Sequence, residues 1–421
     1  MLIIDKLLGK PLARPVKLWI TQEEFDTLVL DHSKRVESHR ENESALQQFL
    51  NLASLPFIES WVAGMPDLHP GKSVCIGTVF ATRGQLVPNT TGVDIGCGMA
   101  AIKTDYVYDG NVALLKEFVA GMKANVPLGF NHRDIPLEDA IYEEADECPI
   151  SQRELEKAKH ALGTLGGGNH FLSFDTDEEG FLYVVVHTGS RNLGLKICSE
   201  YDEIAKLQNK KWCSVGEEGW ALAYLPIDSK EGSTYFKELK FAQKYAKQNR
   251  HHILEFASRM FEANGIHETE RIECIHNYIS VENIMGKNLF VTRKGAVNAQ
   301  EGKLVIIGGN QMTGSVIAVG KGNVQAFNSC SHGAGRAMSR TEAKNTLSVE
   351  EMKEQMKGIV TSEEISEKML DEAPNAYKNL QTVLDNENDL VTVRNRLKTV
   401  AVIKDIEEAK PWQKKKPKVE E

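Results

Sequence analysis

The sequence predicts one large mixed α/β domain, and three observations support this fold class. Amphipathic helical patterns and short apolar strand patterns follow one another along the 421 residues, and neither type is confined to one half. No internal repeat or low-complexity segment precedes the C-terminal tail. Length alone would allow two or three domains, but no change in composition marks a boundary. We therefore expect one domain over residues 1–405 and a disordered tail over residues 406–421.

The first half of the chain predicts a helix, a group of strands and two further helices. Residues 21–53 predict mainly helix, since Leu, Val and Phe recur at three- and four-residue spacings among charges. Residues 74–104 predict short strands broken by glycines, with a turn at "PNTTG". Helical patterns follow at 111–123 and 151–162.

The second half continues the same alternation. "FLYVVVHTGSR" predicts a buried strand that ends in a loop starting near His187. Residues 236–264 predict a long amphipathic helix with a glycine at its end. Residues 303–310 and 315–320 predict two strands on either side of a glycine turn.

Several polar side chains fall at strand ends or in glycine-rich loops, from which they can converge on one site. Five of them could hold divalent cations: Asp94 and Cys97 of "GVDIGCG", His170 of "GGGNH", His187 of "VVVHTGSR" and His276 of "CIHNY". This mixed set suits Mn²⁺, Zn²⁺, Co²⁺ or Fe²⁺, and spacing alone does not choose among them. A lone histidine is more often structural than a ligand, but all five residues share a setting of small neighbours. The remaining histidines before His332 are expected to be structural, except that His69 of "MPDLHPGK" is a candidate for the edge of the site.

His332 stands apart, in "CSHGAGR". Its small neighbours leave the imidazole uncovered, and Arg336 offers a planar set of donors that suits phosphate oxygens. The alternative is a histidine in a glycine turn without chemistry.

Composition limits the partners and the compartment. A net charge of −9 gives no general attraction to nucleic acid, and the basic run 410–418 is more simply a solvated tail than an RNA contact. Seven cysteines without a CxxC pair argue against a disulfide framework and favour a reducing cytoplasm. No apolar run is long enough for a membrane span, and the N-terminal residues lack a secretory signal pattern.

An ordered set of motifs then becomes recognisable. Along the chain occur "DLHPGK", "GVDIGCGM", "GTLGGGNHF", "HTGSR", "HNY", "TRKGA", "CSHGAGRAMSR", "NAYKNL" and "LKTVAVIK". In this order they resemble the RtcB family of RNA ligases, from about residue 60 to residue 404. Singly, "HNY" and "GGGNH" are weak signals, whereas the ordered set is specific.

The resemblance implies a two-metal cleft in the domain and a Mn²⁺- and GTP-dependent ligase. Such an enzyme joins an RNA 3′-phosphate or 2′,3′-cyclic phosphate to a 5′-hydroxyl, in RNA repair or tRNA splicing. His332 would be the nucleophile that takes up GMP, and Cys97 would bridge two metals. Asp94 and His170 would complete one metal site, and His187 and His276 the other. An archease-type activator is a partner that the resemblance allows.

The same resemblance implies a guanylate pocket and a phosphate anchor. The pocket would be lined by Asn169, Asn277, Ser315, His332, Gly333, Ala334, Gly335, Tyr377 and Lys404. Arg191 of "HTGSR" would hold phosphate, with Arg336 as a second anchor.

The chain departs from the family pattern near the expected nucleotide. Ser173 stands where the family carries a glutamate that accepts from the guanine edge, and residues 308–312 are "GGNQM" in place of a "PGSMG"-like loop. A third departure is the tail beyond Lys404. These departures leave two alternatives open: a two-metal RNA phosphodiesterase or phosphatase, and an RNA-binding protein with a vestigial pocket.

Overall fold

The computed structural model describes residues 1–214 and 220–406, and within them the chain forms the mixed α/β domain expected from the sequence. The predicted tail over 406–421 lies outside the described residues, apart from its first residue. No helix in the described ranges combines the length and apolar character that a membrane crossing requires.

Eighteen strands lie in the described ranges. They are β1 (Leu2–Leu7), β2 (Lys10–Leu18), β3 (Ile58–His69), β4 (Ile76–Thr82), β5 (Gln85–Leu86), β6 (Gly98–Val107), β7 (Phe171–Thr176), β8 (Phe181–Thr188), β9 (Leu225–Pro226), β10 (Glu268–Ile275), β11 (Asn277–Ile284), β12 (Lys287–Lys294), β13 (Ala296–Asn298), β14 (Leu304–Gly308), β15 (Ser315–Gly320), β16 (Ser329–Ser331), β17 (Val360–Thr361) and β18 (Val391–Ile403).

Nine α-helices accompany these strands in the described ranges. They are α1 (Gln22–Glu37), α2 (Ala45–Ala53), α3 (Val112–Asn125), α4 (Pro149–Ala161), α5 (Arg191–Lys211), α6 (Lys230–Glu262), α7 (Arg340–Thr346), α8 (Val349–Gln355) and α9 (Leu380–Asn386).

Two larger sheets organise the domain. The first has the order β1-β2-β3-β4-β12-β11, and the second runs β10-β6-β8-β7-β18-β15-β14, with β17 paired to β18. Two short ribbons, β13-β16 and β5-β9, complete the pairing among the described strands. Most neighbouring strands are antiparallel, while β2-β3 and β17-β18 are parallel.

The main core lies between the two large sheets. Met65 and Val291 of the first sheet pack in the same cluster as Met99 and Val185 of the second. The opposite face of the second sheet is covered by α3 and α6, through a separate cluster that includes Phe118. Because β8 is buried on both faces, it has the continuous apolar sequence that was predicted to form a buried strand.

The helix and strand predictions are largely confirmed, with shifts at element ends. The helix expected over 21–53 is two separate helices, α1 and α2. The chain turns between them, and the Ser44 side chain caps the N-terminus of α2. The long helix expected from 236 begins at Lys230, after the cap Ser229. "PNTTG" forms a short 3₁₀ turn, and His187 still lies within β8.

Candidate active site

The five predicted metal ligands come from neighbouring strands of the second sheet. Asp94 and Cys97 lie in the turn before β6, and His170 directly precedes β7. His187 is the penultimate residue of β8, and His276 separates β10 from β11. Because β10, β6, β8 and β7 are neighbours in this order, the strand ends that carry these residues lie side by side at one end of the strands.

The ligand atoms of these residues are close together. Cys97 Sγ lies 3.5 Å from His170 Nε2 and 3.3 Å from His187 Nε2. Asp94 Oδ2 lies 2.8 Å from His170 Nε2, and the Nε2 atoms of His187 and His276 are 3.3 Å apart. They form two groups, Asp94-Cys97-His170 and Cys97-His187-His276, and within each group the atoms are all within 4.8 Å of one another. Cys97 belongs to both groups, as a bridging thiolate would.

The protonation of these groups favours cation binding. Burial, and then the neighbouring imidazoles, lower the pKa values of His187 and His276 well below the usual value, so both rings are neutral near pH 7. His170 Nδ1 lies 3.0 Å from the Leu165 carbonyl oxygen. When Nδ1–H donates to that oxygen, Nε2 of the same ring keeps its lone pair. Two neutral imidazole nitrogens 3.3 Å apart, beside a thiol, are better satisfied by a cation than by each other.

The acidic members of the cluster respond to the same surroundings. Burial would raise the pKa of Asp94, but the His170 ring and the Arg191 guanidinium hold the pKa below its usual value. Burial, and then the Asp94 carboxylate, raise the pKa of the Cys97 thiol well above its usual value. A bound cation would reverse this rise and favour the thiolate. This donor set therefore fits a pair of divalent metal ions.

A buried arginine holds the metal-side loops in place. Arg250, from the middle of α6, donates through Nη1 to the carbonyls of Gly96 (2.8 Å) and Thr188 (2.9 Å). Its Nε donates to Glu273 at 2.9 Å. The Asp94-Cys97 turn and the end of β8 are thus tied to one rigid helix.

His332 faces this cluster. Its ring centroid lies 4.7 Å from that of His276, and its Nδ1 lies 2.5 Å from Asp67 Oδ2. The same oxygen accepts the backbone N–H of His332 at 3.1 Å. When Nδ1 carries the proton that Asp67 accepts, Nε2 keeps its lone pair and can act as a nucleophile.

The small residues after His332 allow this close packing. Gly335 has a φ of +71°, and a Cβ there would lie 2.2 Å from the Asp67 carbonyl oxygen. A Cβ at Gly333 would lie 2.7 Å from the carbonyl oxygen of Gly308. The glycines therefore let the His332 loop lie directly on β3 and β14.

A cavity of about 270 Å³ opens beside His332. The predicted pocket residues that line it are Asn169, Ser315, His332, Gly333, Ala334, Gly335, Tyr377 and Lys404. His69, expected at the edge of the site, also lines it. Burial lowers the pKa of His69 to about 4, so this ring is neutral at pH 7.

Comparisons with known proteins match most of the chain to one family. The family model described as "tRNA-splicing ligase RtcB" matches residues 48–143 and 135–405. The RNA-splicing ligase RtcB of Escherichia coli K12 is 33% identical over 386 residues, which cover 86% of this chain and 94% of that protein. The tRNA-splicing ligase RtcB of Methanococcus maripaludis is 30% identical, covering 82% of this chain and 87% of that protein. The relative from Thermococcus kodakarensis is 29% identical, covering 85% and 90%.

The chain belongs to the RtcB family. The RtcB resemblance inferred from the motifs is therefore confirmed, and the match extends over the site described above.

Two residues that were predicted to contact the nucleotide or its phosphate do not line the cavity. Asn277 uses its side-chain amide to donate to the Asp94 carbonyl at 3.2 Å and to accept from Gly295 N–H at 2.9 Å, so it supports the metal-side turn. Arg191 donates to Thr164 Oγ1 and to the Gly129 carbonyl, beside Asp94.

The acidic residue Glu372 was not predicted from the sequence. It lines the cavity, accepts a hydrogen bond from the Tyr377 hydroxyl at 2.5 Å and lies 3.1 Å from Lys404 Nζ. Arg336, expected to anchor phosphate, pairs with Glu372 at 3.2 Å and donates to the carbonyls of Met338 and Asp371. Burial would raise the pKa of Glu372, but Lys404 and its arginine neighbours hold the pKa below its usual value.

Proposed function

We propose that the protein is an RNA ligase that joins a 3′-phosphate or 2′,3′-cyclic phosphate end to a 5′-hydroxyl end, with GTP as co-substrate and Mn²⁺ as the metal. One observation carries this proposal. His332, whose ring is oriented by Asp67, lies beside the two metal-ligand groups that share Cys97, and it lines the cavity. Membership of the RtcB family supports the RNA substrate.

His332 would act as the nucleophile in the first step. Its Nε2 attacks the α-phosphorus of GTP, an N–P bond forms, and the bond to the departing pyrophosphate breaks. Asp67 accepts the proton on Nδ1, so in the neutral ring the lone pair is on Nε2, which faces the phosphorus before the attack. The ring gains charge when the bond forms, and the Asp67 carboxylate stabilises that charge.

The second and third steps return the histidine. An oxygen of the RNA 3′-phosphate takes GMP from His332, which restores the free imidazole. The 5′-hydroxyl then attacks the activated 3′-phosphate, and GMP leaves as the new phosphodiester forms. These transfers depend on positioning and on charge neutralisation more than on proton transfer.

The donor cluster would hold two cations, with Asp94, Cys97 and His170 on one and Cys97, His187 and His276 on the other. When bound, the pair would withdraw charge from the phosphate oxygens. Lys404, Ser315, Tyr377 and Asn169 would surround the nucleotide, with the backbone from His332 to Gly335 along one side. Arg191, next to Asp94, would hold phosphate.

We place this activity in a catalytic domain over residues 1–405 and in a reducing compartment, the cytoplasm. The support is that the described cysteines are free, including Cys97, which must be reduced to bind metal. An archease-type activating protein is a candidate partner on family resemblance alone.

Incubation with radiolabelled GTP and Mn²⁺, followed by acid, tests the proposal. We expect a covalent, acid-labile label on the wild-type protein and none on His332→Ala. His160→Ala is the matched control, because that ring contacts only the Arg133 carbonyl among the described hydrogen bonds, away from the site. Opening of the cyclic phosphate without any label would contradict ligation and indicate a hydrolase. Intact RNA binding without label or metal would indicate a vestigial pocket.

A further inference from the structure

An exposed aromatic ring lies beside the loops on the metal side of the site. Phe130 is in the segment that joins α3 to α4, and it is 64% exposed. A single exposed aromatic residue is ordinary on a protein surface. Phe130 differs because the backbone next to it is bonded to the candidate phosphate anchor. Arg191 Nη2 donates to the carbonyl oxygen of Gly129 at 3.0 Å, so Phe130 begins one peptide bond from that contact.

The local sequence holds Phe130 in a tight turn. The N–H of Asn131 donates to the carbonyl of Leu128 at 3.1 Å, and Gly129 inside the turn has a φ of +61°. A Cβ at residue 129 would also lie 2.6 Å from Asp405 Oδ1. Glycine is therefore the residue that fits this position, and the turn displays Phe130 at the surface.

Hydrogen bonds on both sides of Phe130 fix the turn. Before it, the N–H of Gly129 donates to the carbonyl of Gly166 at 3.0 Å. After it, Arg133 Nε donates to the carbonyl of Leu162 at 3.1 Å. Because the backbone is already held in place, a ligand that contacts Phe130 does not have to order the segment first.

The same turn lies close to the candidate metal ligands. The Cα of Gly129 is 3.6 Å from the position that a Cβ would take at Gly167. The carbonyl of Gly167 accepts the N–H of His170 at 3.4 Å. Arg191, which holds the turn, is within electrostatic reach of Asp94. Two short backbone contacts therefore connect the turn to a residue of the donor cluster.

We propose that Phe130 stacks on the base of the 3′-terminal nucleotide of the RNA, whose phosphate lies at Arg191. Single-stranded RNA is bound in this way, with splayed bases stacked on aromatic rings and with cationic groups along the backbone. The 5′-hydroxyl end carries no terminal phosphate, so an aromatic ring beside a phosphate anchor matches the 3′ end. This inference rests on the proposed function, because it requires the RNA phosphate at Arg191.

The stacking contact fits the charge of the chain. A net charge of −9 gives no general attraction for RNA. A stacked base adds affinity that does not depend on net charge, and it does so for any base, because every base has an aromatic face. The contact would therefore hold the RNA end in place without requiring a particular sequence.

Fluorescence anisotropy with a short RNA that ends in a 3′-phosphate tests this assignment. Measurement with Mn²⁺ and without GTP reports binding in the absence of turnover. We expect Phe130→Ala to weaken binding about tenfold, as for the loss of one stacked base. Phe130→Trp should keep the affinity, because it keeps a flat aromatic ring. Ile135→Ala is the matched control: this apolar residue of the same segment is 82% exposed and lies beyond Arg133, so its loss should leave the affinity unchanged.

Two further RNAs, lacking either the 3′-terminal or the 5′-terminal base, identify the nucleotide. Loss of the 3′-terminal base should weaken wild-type binding about tenfold and should have no further effect in Phe130→Ala. The unfolding temperature and metal content of each variant show whether it is folded. An unchanged affinity in Phe130→Ala would overturn the assignment, as would a wild-type protein that responds to the 5′-terminal base and not to the 3′-terminal one.

Labelling by GTP separates this inference from the proposed function. If GTP labels His332 while Phe130→Ala binds RNA like the wild type, the ligase proposal stands and this inference falls. If no nucleoside triphosphate labels His332 while Phe130→Ala still loses affinity for RNA, the proposed function fails and the stacking contact stands.

Discussion

Asp67 determines which nitrogen of the neutral His332 ring carries the proton. It accepts both the ring Nδ1–H and the backbone N–H of His332, so it fixes the ring orientation as well as the tautomer. We expect Asp67→Ala to slow covalent labelling by GTP by on the order of 10²–10⁴-fold, the range seen when a histidine loses its orienting carboxylate or a catalytic base is disabled. Single-turnover labelling measures this rate.

Asp139→Ala provides the control for that variant. Asp139 also contacts a histidine, His252, at 2.8 Å, but it does not line the cavity. Its loss should leave the labelling rate within about twofold, as expected for a change away from the site. Similar rates for Asp67→Ala and wild type would show that His332 is oriented by other contacts.

Cys97 is the one residue common to both donor groups. Its replacement should therefore weaken both metal sites, whereas Asp94→Ala should weaken mainly one. We expect Cys97→Ala to lose at least tenfold in affinity at each site, because a charged ligand is removed from both. Equilibrium dialysis with Mn²⁺ gives the number of ions and their affinities. Cys213→Ala, at an exposed cysteine, should bind metal like the wild type.

The sequence was sufficient for some residues of the site but not for others. The five donor residues that cluster in the structure, and His332 beside them, could be singled out because each lies in a local motif with small neighbours. Asp67 gave no separate signal beside His69 in "MPDLHPGK", since its partner His332 lies 265 positions away in the chain. Arg250 and Glu372 gave no signal either, because an arginine in a long helix and a glutamate in a polar segment are ordinary in sequence.

At the scale of elements, α9 holds the strand that leads to His332. Glu387, which caps α9, accepts the N–H of Ser331 at 2.8 Å and its hydroxyl at 2.6 Å. Ser331 ends β16 and directly precedes His332. Burial raises the pKa of Glu387 to about 8, against the opposing Ser331 hydrogen bonds, so this carboxyl is protonated in the folded protein at pH 6.

That shift predicts a pH-dependent stability. The folded state keeps the proton of Glu387 up to about pH 8, while the unfolded chain loses it near pH 4.5. The stabilisation that this bound proton gives the folded state is therefore fully present below the unfolded pKa. As the pH rises from there through the folded pKa, the stabilisation is lost, by about 1 kcal/mol per pH unit. Glu387→Gln mimics the protonated form and should gain stability relative to wild type between pH 6 and pH 8. Urea unfolding at both pH values measures the difference, and a constant difference would contradict the assignment.

Element prediction succeeded where periodicity was long and failed where it was short or ambiguous. The helix α6 and the buried strand β8 follow directly from their patterns. The hairpin β1-β2 was missed because proline, lysine and arginine interrupt its alternation, and α5 was missed because its N-terminus continues the glycine-containing loop after β8. The pairing of β18 between β7 and β15 depends on contacts that are far apart in the chain, more than 200 residues in the case of β7, and no local pattern reveals them.

At the scale of the whole molecule, the site joins the two large sheets. Asp67 belongs to β3 of the first sheet, whereas the five candidate metal ligands lie at the ends of strands in the second. His332 follows the β13-β16 ribbon, and its carbonyl accepts the N–H of Gly308, at the end of β14 in the second sheet. A relative movement of the sheets would therefore separate Asp67 from the donor cluster that His332 faces, so the apolar core between the sheets also maintains the geometry of the site.

The same arrangement predicts that metal binding stabilises the entire domain. The ligands come from residues 94 to 276, so they are brought together only in the folded chain. Free Mn²⁺ at one hundred times its dissociation constant should then add about 2.7 kcal/mol to the free energy of unfolding for each site. Urea unfolding with Mn²⁺ or with a chelator measures this term, and Cys97→Ala should lose most of it. An equal gain in Cys97→Ala would mean that the stabilising ion binds elsewhere, because removal of the shared thiolate must weaken both donor groups.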